Sequence, residues 1–420
     1  MTLRGRDDPG AVLALAPWRA LGRRAAALAS AVGLVAGAAL VAATGCGGGL
    51  IGDADIDWIG GTPRARVLEG PLHMRWTERL TPEFGGSYQP VERAVAALDP
   101  AHDRVYVGSS AGSLWAMTPT GRKLWRYDTG GAIEGQPAVD GDAGELYLGN
   151  AEGILYALRT ADGTKRWEKP AGGPMRSAPA ISADAVYVVT ANDLVVALSR
   201  TDGSELWRYK RDAPQGFSLT GHSGLVLHDG KLFVGFTDGF VVSLDAASGT
   251  AAWERDTAID LEEEGDNITR FVDVDTTPVI VGDRVWIASF SAGLYELSIG
   301  SGSVLWKDAE RTSIVSITAA ADSSLVLSSA DDGVIRFDTE EHIDLWKRPV
   351  VRGAAGTASV VRGVVLFGEN LGGFLALSLD TGAELSRLES GHGFTAECAV
   401  AGHLGFVVSN GGSLFAFAID

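Results

Sequence analysis

A tryptophan-ended segment recurs along this chain and limits what it can fold into. Val195–Trp207 reads VVALSRTDGSELW: an apolar run, a polar turn at Asp202-Gly203, then a second strand closing on tryptophan. Leu155–Trp167 (LYALRTADGTKRW), Val242–Trp253 (VSLDAASGTAAW) and Tyr295–Trp306 (YELSIGSGSVLW) repeat it, and Leu375–Ser386 (LALSLDTGAELS) ends on serine instead. Leu114–Trp125 has a shorter turn, and Ile335–Trp346 lacks the glycine. Adding Trp76, the equivalent positions are Trp76, Trp125, Trp167, Trp207, Trp253, Trp306, Trp346 and Ser386. They recur at intervals of about 40 to 53 residues, the length of one four-stranded propeller blade.

The unit has a physical reading. Leu155–Leu158 is apolar at every position, the pattern of a strand buried on both faces. The turn glycine supplies the positive φ needed to reverse into an antiparallel partner. Each tryptophan fills a large space and needs an acceptor for its indole N–H, so one per unit should seal that unit against the next. Between two tryptophans four strands are legible, as in Pro137–Val139, Glu145–Leu148, Ile154–Leu158 and Lys165–Glu168.

Eight equivalent positions predict an all-β, eight-bladed propeller of four-stranded antiparallel blades spanning residues 71–420. The ends predict its closure. The last unit offers Cys398–Val400, Phe406–Val408 and Leu414–Ala418 and stops one strand short, while Leu72–Leu80 is a lone strand carrying the first tryptophan. Pairing the two completes the eighth blade and leaves only short, protected edges.

The formal charge of −18 opposes nucleic acid or anionic membrane surfaces as partners. The two cysteines, Cys46 and Cys398, make no disulfide framework. Ahead of the repeats, Arg19, Arg23 and Arg24 precede the apolar run Ala25–Thr44, and Ala43-Thr44-Gly45-Cys46 follows. Residues 1–45 read as a secretory signal, with small residues directly before a cysteine resembling a bacterial lipobox and Cys46 as the lipidated first residue. An uncleaved anchor is the alternative, since the run is long enough to span a bilayer. Residues 46–70, Gly-rich and patternless, read as a flexible tether. Gly47 after the cysteine resembles outer-membrane sorting.

Two insertions break the period: Lys210–Ser223 (KRDAPQGFSLTGHS) and Asp256–Thr277 (DTAIDLEEEGDNITRFVDVDTT). Each lies between a tryptophan strand and the next blade's first strand, so both should emerge on one face in adjacent connections, where binding loops are expected. Arg270–Pro278 (RFVDVDTTP) and Phe217–Ser223 (FSLTGHS) resemble two loops of the BamB family of outer-membrane assembly lipoproteins, and the blade pattern resembles the wider quinone-dehydrogenase-like repeats. The resemblance implies a lipid-anchored, non-enzymatic subunit of the β-barrel assembly machinery. It further implies that the two loops bind a periplasmic POTRA domain of a BamA-like barrel protein. Carried over by position, Phe217, Leu219, Arg270, Asp273 and Asp275 are the candidate contacts, and Thr220 stands where the family pattern has arginine. Asp275, beside Thr276-Thr277-Pro278, reads equally well as a turn residue serving backbone N–H groups. Charge reversal at Asp273 is expected to abolish binding and to leave the melting temperature nearly unchanged.

Other motifs carry less. Gly108–Gly112 matches G-x-S-x-G, but its repeat counterpart Gly149–Gly153 is a hairpin turn, and a nucleophile elbow needs strand, turn and helix. The seven histidines form no ligand pair. Glu262-Glu263-Glu264 with Asp266 lacks EF-hand spacing and reads as a solvated loop. A quinone-dependent dehydrogenase would need Ca²⁺ ligands and a catalytic aspartate in the central funnel, usually with neighbouring cysteines. No such set is legible, and no cofactor or metal is expected. A propeller binding some other periplasmic ligand is the third class.

Overall fold

A computed structural model describes residues 70–81, 91–212, 223–259 and 272–420. Residues 1–69, which hold the signal, Cys46 and nearly all of the tether, lie outside the described residues. So do Phe217, Leu219, Thr220 and Arg270.

The described strands form eight four-stranded antiparallel sheets. Blade one comprises Ala97–Asp99, Arg104–Val107, Ser113–Met117 and Lys123–Asp128, from the axis outward, and six more blades follow in the same order. The eighth joins the two ends of the propeller. Leu72–Arg79 pairs antiparallel with Ser413–Ile419, from Leu72 opposite Ile419 to Arg79 opposite Ser413, beside Leu404–Val408 and Ala399–Ala401. The closure expected from the sequence is therefore present.

The middle strands of each blade hold the core. Leu155, Ala157 and Leu158 are fully buried, as are Val195 and Ala197 in the next blade. These apolar layers pack blade against blade, so the core runs around the ring between neighbouring sheets.

The tryptophans make the joints. The indole N–H groups of Trp76, Trp125, Trp167, Trp207, Trp253 and Trp346 donate to the carbonyl oxygens of Pro119, Thr160, Arg200, Ala246, Ile299 and Leu379, at 2.6–3.0 Å. Each acceptor sits in the next blade's outer turn. The glycine of that same turn lies on the ring face: Gly121, Gly163, Gly203, Gly249, Gly302 and Gly382, with φ between 65° and 88°. A Cβ at Gly203 would stand 2.7 Å from the Trp167 ring. Gly203→Ala is therefore expected to lower stability by about 1–3 kcal/mol, from the left-handed backbone and the contact together. An unchanged urea midpoint would remove this account of the joint.

Two joints differ. Where the turn lacks glycine, His342 takes its left-handed place at φ 56° and stacks on Trp306 with ring centroids 4.3 Å apart and planes 14° apart. Its Nε2 lies 2.9 Å from the buried carboxylate of Glu296, which also meets Arg284 at 2.7 Å. At the last joint, buried Ser386 replaces tryptophan and Gly70 packs against it, a Cβ there falling 2.8 Å from the serine Cβ.

Gly108–Gly112 is the hairpin turn expected: Gly112, at φ 80°, donates its N–H to Ser109. Cys398 is buried and free, and burial pushes its thiol well up from the ordinary range.

Candidate functional site

Outer strands lead into the next blade's inner strand at one end of the ring, and the hairpins between the two middle strands of each blade lie at that same end. The two insertions are consecutive connections there, on either side of blade four, whose strands are Leu225–His228, Lys231–Gly235, Phe240–Asp245 and Ala251–Asp256. Blade five begins at Val279–Val281.

The stems of the two loops are bonded to each other. Ser223 Oγ donates to the carbonyl of Thr276 at 3.0 Å, and the Gly224 N–H donates to Thr277 Oγ1 at 3.0 Å. A Cβ at Gly224 would stand 2.5 Å from Thr277 Oγ1, so any larger residue would have to push the Thr277 side chain aside. Thr276 Oγ1 in turn bonds both the N–H and the carbonyl of Ala288, and Ser223 Oγ accepts the Gly235 N–H. The DVDTTP segment is thus a brace holding the exit of one loop to the exit of the other.

Asp273 is 2% exposed, and its carbonyl accepts the Phe290 N–H at 3.0 Å. An arginine there would be forced into the core of the brace, so the expectation of an unchanged melting temperature does not survive: reversal at Asp273 is a folding change as well. Asp275 turns toward the axis. Its carboxyl has no hydrogen-bond or ion-pair partner among the described residues, so it is not serving turn N–H groups. Burial, with the charges of Asp273 and Asp193 beside it, pushes it up to about 7.

Three charged residues at this end were missed from the sequence. Arg211, at the start of the first insertion, donates Nε to Asp238 at 2.6 Å and Nη1 to Glu254 at 3.0 Å, and its guanidinium stands 3.7 Å from the Phe240 ring centre. This pins the entry of the loop to the blade-four hairpin. Asp193, held at φ 53°, accepts the Thr237 N–H at 3.2 Å and the Thr237 hydroxyl, joining the hairpins of blades three and four. Asp193 and Asp238 look in the sequence like ordinary hairpin aspartates, and only the ring brings them to the loop stems.

The axis holds a cavity of about 740 Å³. Alternate residues leading into successive inner strands face it: Glu134, Gln136, Arg176, Asp275, Thr277 and Glu397. Arg176 Nε pairs with Glu134 at 3.0 Å. Among the described residues no three His, Cys, Asp or Glu side chains gather to hold a metal.

Blades joined by a tryptophan beneath the next blade's turn glycine define a class, the propellers built of quinoprotein-type repeats. Within it the chain belongs to the family of outer membrane protein assembly factor BamB, whose model matches residues 110–348. Among relatives of that name, the Salmonella typhimurium protein is 27% identical over 339 residues, 80% of this chain and 85% of that protein. The Yersinia pestis protein is 26% identical over 327 residues, 74% of this chain and 81% of that one. The match to the Shewanella oneidensis protein, 25% identical, takes in 58% of this chain and 61% of that protein. In fold, the chain is similar to BamB from Moraxella catarrhalis, with a TM-score of 0.68 and 22% identity over 83% of this chain and all of that one. It is also similar to a quinohemoprotein alcohol dehydrogenase from Comamonas testosteroni, at 0.63 and 14% identity over 83% of this chain and 76% of that one.

Proposed function

We propose that this protein is a non-enzymatic accessory subunit of outer-membrane β-barrel assembly. It is held at the periplasmic face of the outer membrane by lipid on Cys46, and it binds the periplasmic POTRA domains of a BamA-like barrel protein through its two long loops. The observation that carries the reading is the brace: two insertions in consecutive connections whose stems are hydrogen-bonded through Ser223, Gly224, Thr276 and Thr277. Family membership supports the same role.

In this reading Phe217 and Leu219 are the apolar anchors and Arg270 the charged rim, the make-up of an interface hot spot. Thr220 provides no cation where the family pattern has one, so this interface depends more on its apolar anchors. Asp273, whose carbonyl holds the Phe290 N–H, positions the second loop from beneath, while Asp275 faces the axis instead.

Leu219→Arg is expected to weaken binding to the cognate barrel protein's periplasmic domains by at least about a hundredfold, as loss of a central anchor does. The melting temperature should stay within about 2 °C of wild type, as for a change away from the core. Asp162→Arg and Asp202→Arg, in turns at the other end of the ring, should bind as wild type. Calorimetry showing normal affinity for the Leu219 variant would sink the loop assignment.

A further inference from the structure

The axial cavity contains an imbalance that the assembly role does not use. Of its charged residues, Glu134 and Arg176 neutralise each other at 3.0 Å. Arg93, also in the lining, is exposed to solvent. Asp275 and Glu397 remain, contributed by the segments entering blades five and eight, and neither carboxyl has a hydrogen-bond or ion-pair partner among the described residues. Burial pushes each up to about 7, with Asp273 and Asp193 adding to the effect at Asp275. Among serines and threonines, the lining also presents apolar surface from Phe290, Val315 and Ala319. Ser316 borders the same space, 6% exposed, and its hydroxyl is unpartnered.

Two carboxyls on separate blades, with apolar surface in the cavity they share, ask for a particular ligand. An anion is opposed by both acids. A hard dication needs six to eight oxygen ligands close together, and no group of three acidic or histidine side chains gathers among the described residues. An extended organic cation satisfies both features, since its ends carry charge and its middle is hydrocarbon. We propose that the axial cavity binds a linear diamine, with ammonium ends at Asp275 and Glu397 and methylenes along the Phe290 and Val315 surface. Each ammonium supplies the missing partner of a desolvated carboxylate, and the methylenes cover apolar surface. The cavity volume, about 740 Å³, is of the size that encloses a small molecule. The assignment is independent of the loops, so its failure would leave the assembly role standing, and the reverse also holds.

Titration calorimetry of the mature chain with putrescine (1,4-diaminobutane), at pH 8 and roughly 0.15 M salt to screen the surface, tests it. Saturable binding is expected, one putrescine per chain. Butylamine, with a single ammonium, should bind at least about tenfold more weakly, and Mg²⁺ at equal concentration should not displace putrescine. Asp275→Asn and Glu397→Gln should each weaken binding at least about tenfold. Asp162→Asn, which removes one charge from the other end of the ring, should not. Three results would overturn the assignment: no saturable heat, undiminished binding in both cavity variants, or an equal loss in the Asp162 control. Melting curves of the variants guard against reading an unfolded protein as a weak binder.

Discussion

Removing Leu72–Arg79 is expected to abolish the single cooperative melt of the ring, or to lower it by more than about 10 °C. The strand pairs along its length with Ser413–Ile419, and its loss leaves that strand as an open edge. It also takes away Leu72, which is 2% exposed, and Trp76, whose indole reaches Pro119 at 2.8 Å and seals blade eight to blade one. Large-to-small losses at sites of that kind cost about 2–5 kcal/mol each, and a shift of a few degrees accompanies each kcal/mol in a domain of this size. Damage should spread around the ring, because each blade is supported mainly by its two neighbours. A synthetic peptide of residues 71–81 added to the truncated chain should restore the melt by strand addition. A truncated protein melting at the wild-type temperature would show that the ring does not need this closure.

The second large effect is a dependence on pH located in the axial cavity. Asp275 and Glu397 stand at about 7 when folded and near 4 in an unfolded chain. Between those values the folded state holds protons that the unfolded state has released. The stability linked to these two groups is therefore fully present below pH 4, falls as pH rises toward 7, and levels off above. Each group accounts for about 1–3 kcal/mol of that fall, allowing for residual contact with solvent. Asp275→Asn and Glu397→Gln remove the ionisation, so each variant should be more stable than wild type at pH 8 and equal to it near pH 4. Comparing variant with wild type isolates the effect from acids such as Asp140, which backbone and Arg200 hydrogen bonds hold below the ordinary range and which act in the opposite direction. A gain of the same size at both pH values would mean that packing, not ionisation, is responsible.

The ring was largely legible in the sequence because its information is local and repeated. The turn glycine, the tryptophan and the apolar middle strands sit within about a dozen residues of one another, so blade number, strand order and the closing strand could all be read. The axis was not legible. Inner strands are as short as Ala180–Ile181, too short for a period to declare which side chains face inward. Asp275 and Glu397 thus gave no sign that they share a cavity. The brace was legible only as a resemblance in DVDTTP, while its bonding to Ser223 and Gly224 spans 53 residues. The Arg211–Asp238 pair, 27 residues apart, depends on the ring for its geometry. Nor did the missing glycine at blade six announce that a histidine would take both its backbone conformation and its place over the indole.

That last substitution bears on how such a ring can be copied. A standard blade carries a tryptophan for the neighbour ahead and a glycine lid for the neighbour behind, so any standard blade fits any other. Duplicating or excising one preserves every joint, which gives a chain of this kind an easy route to rings of different size. Trp306 with His342 and Ser386 with Gly70 are keyed joints, each half suited to its own mate. Six interchangeable couplings provide modularity; two keyed ones give the ring an address, fixing where in the circle each blade belongs and opposing closure with a blade skipped or exchanged.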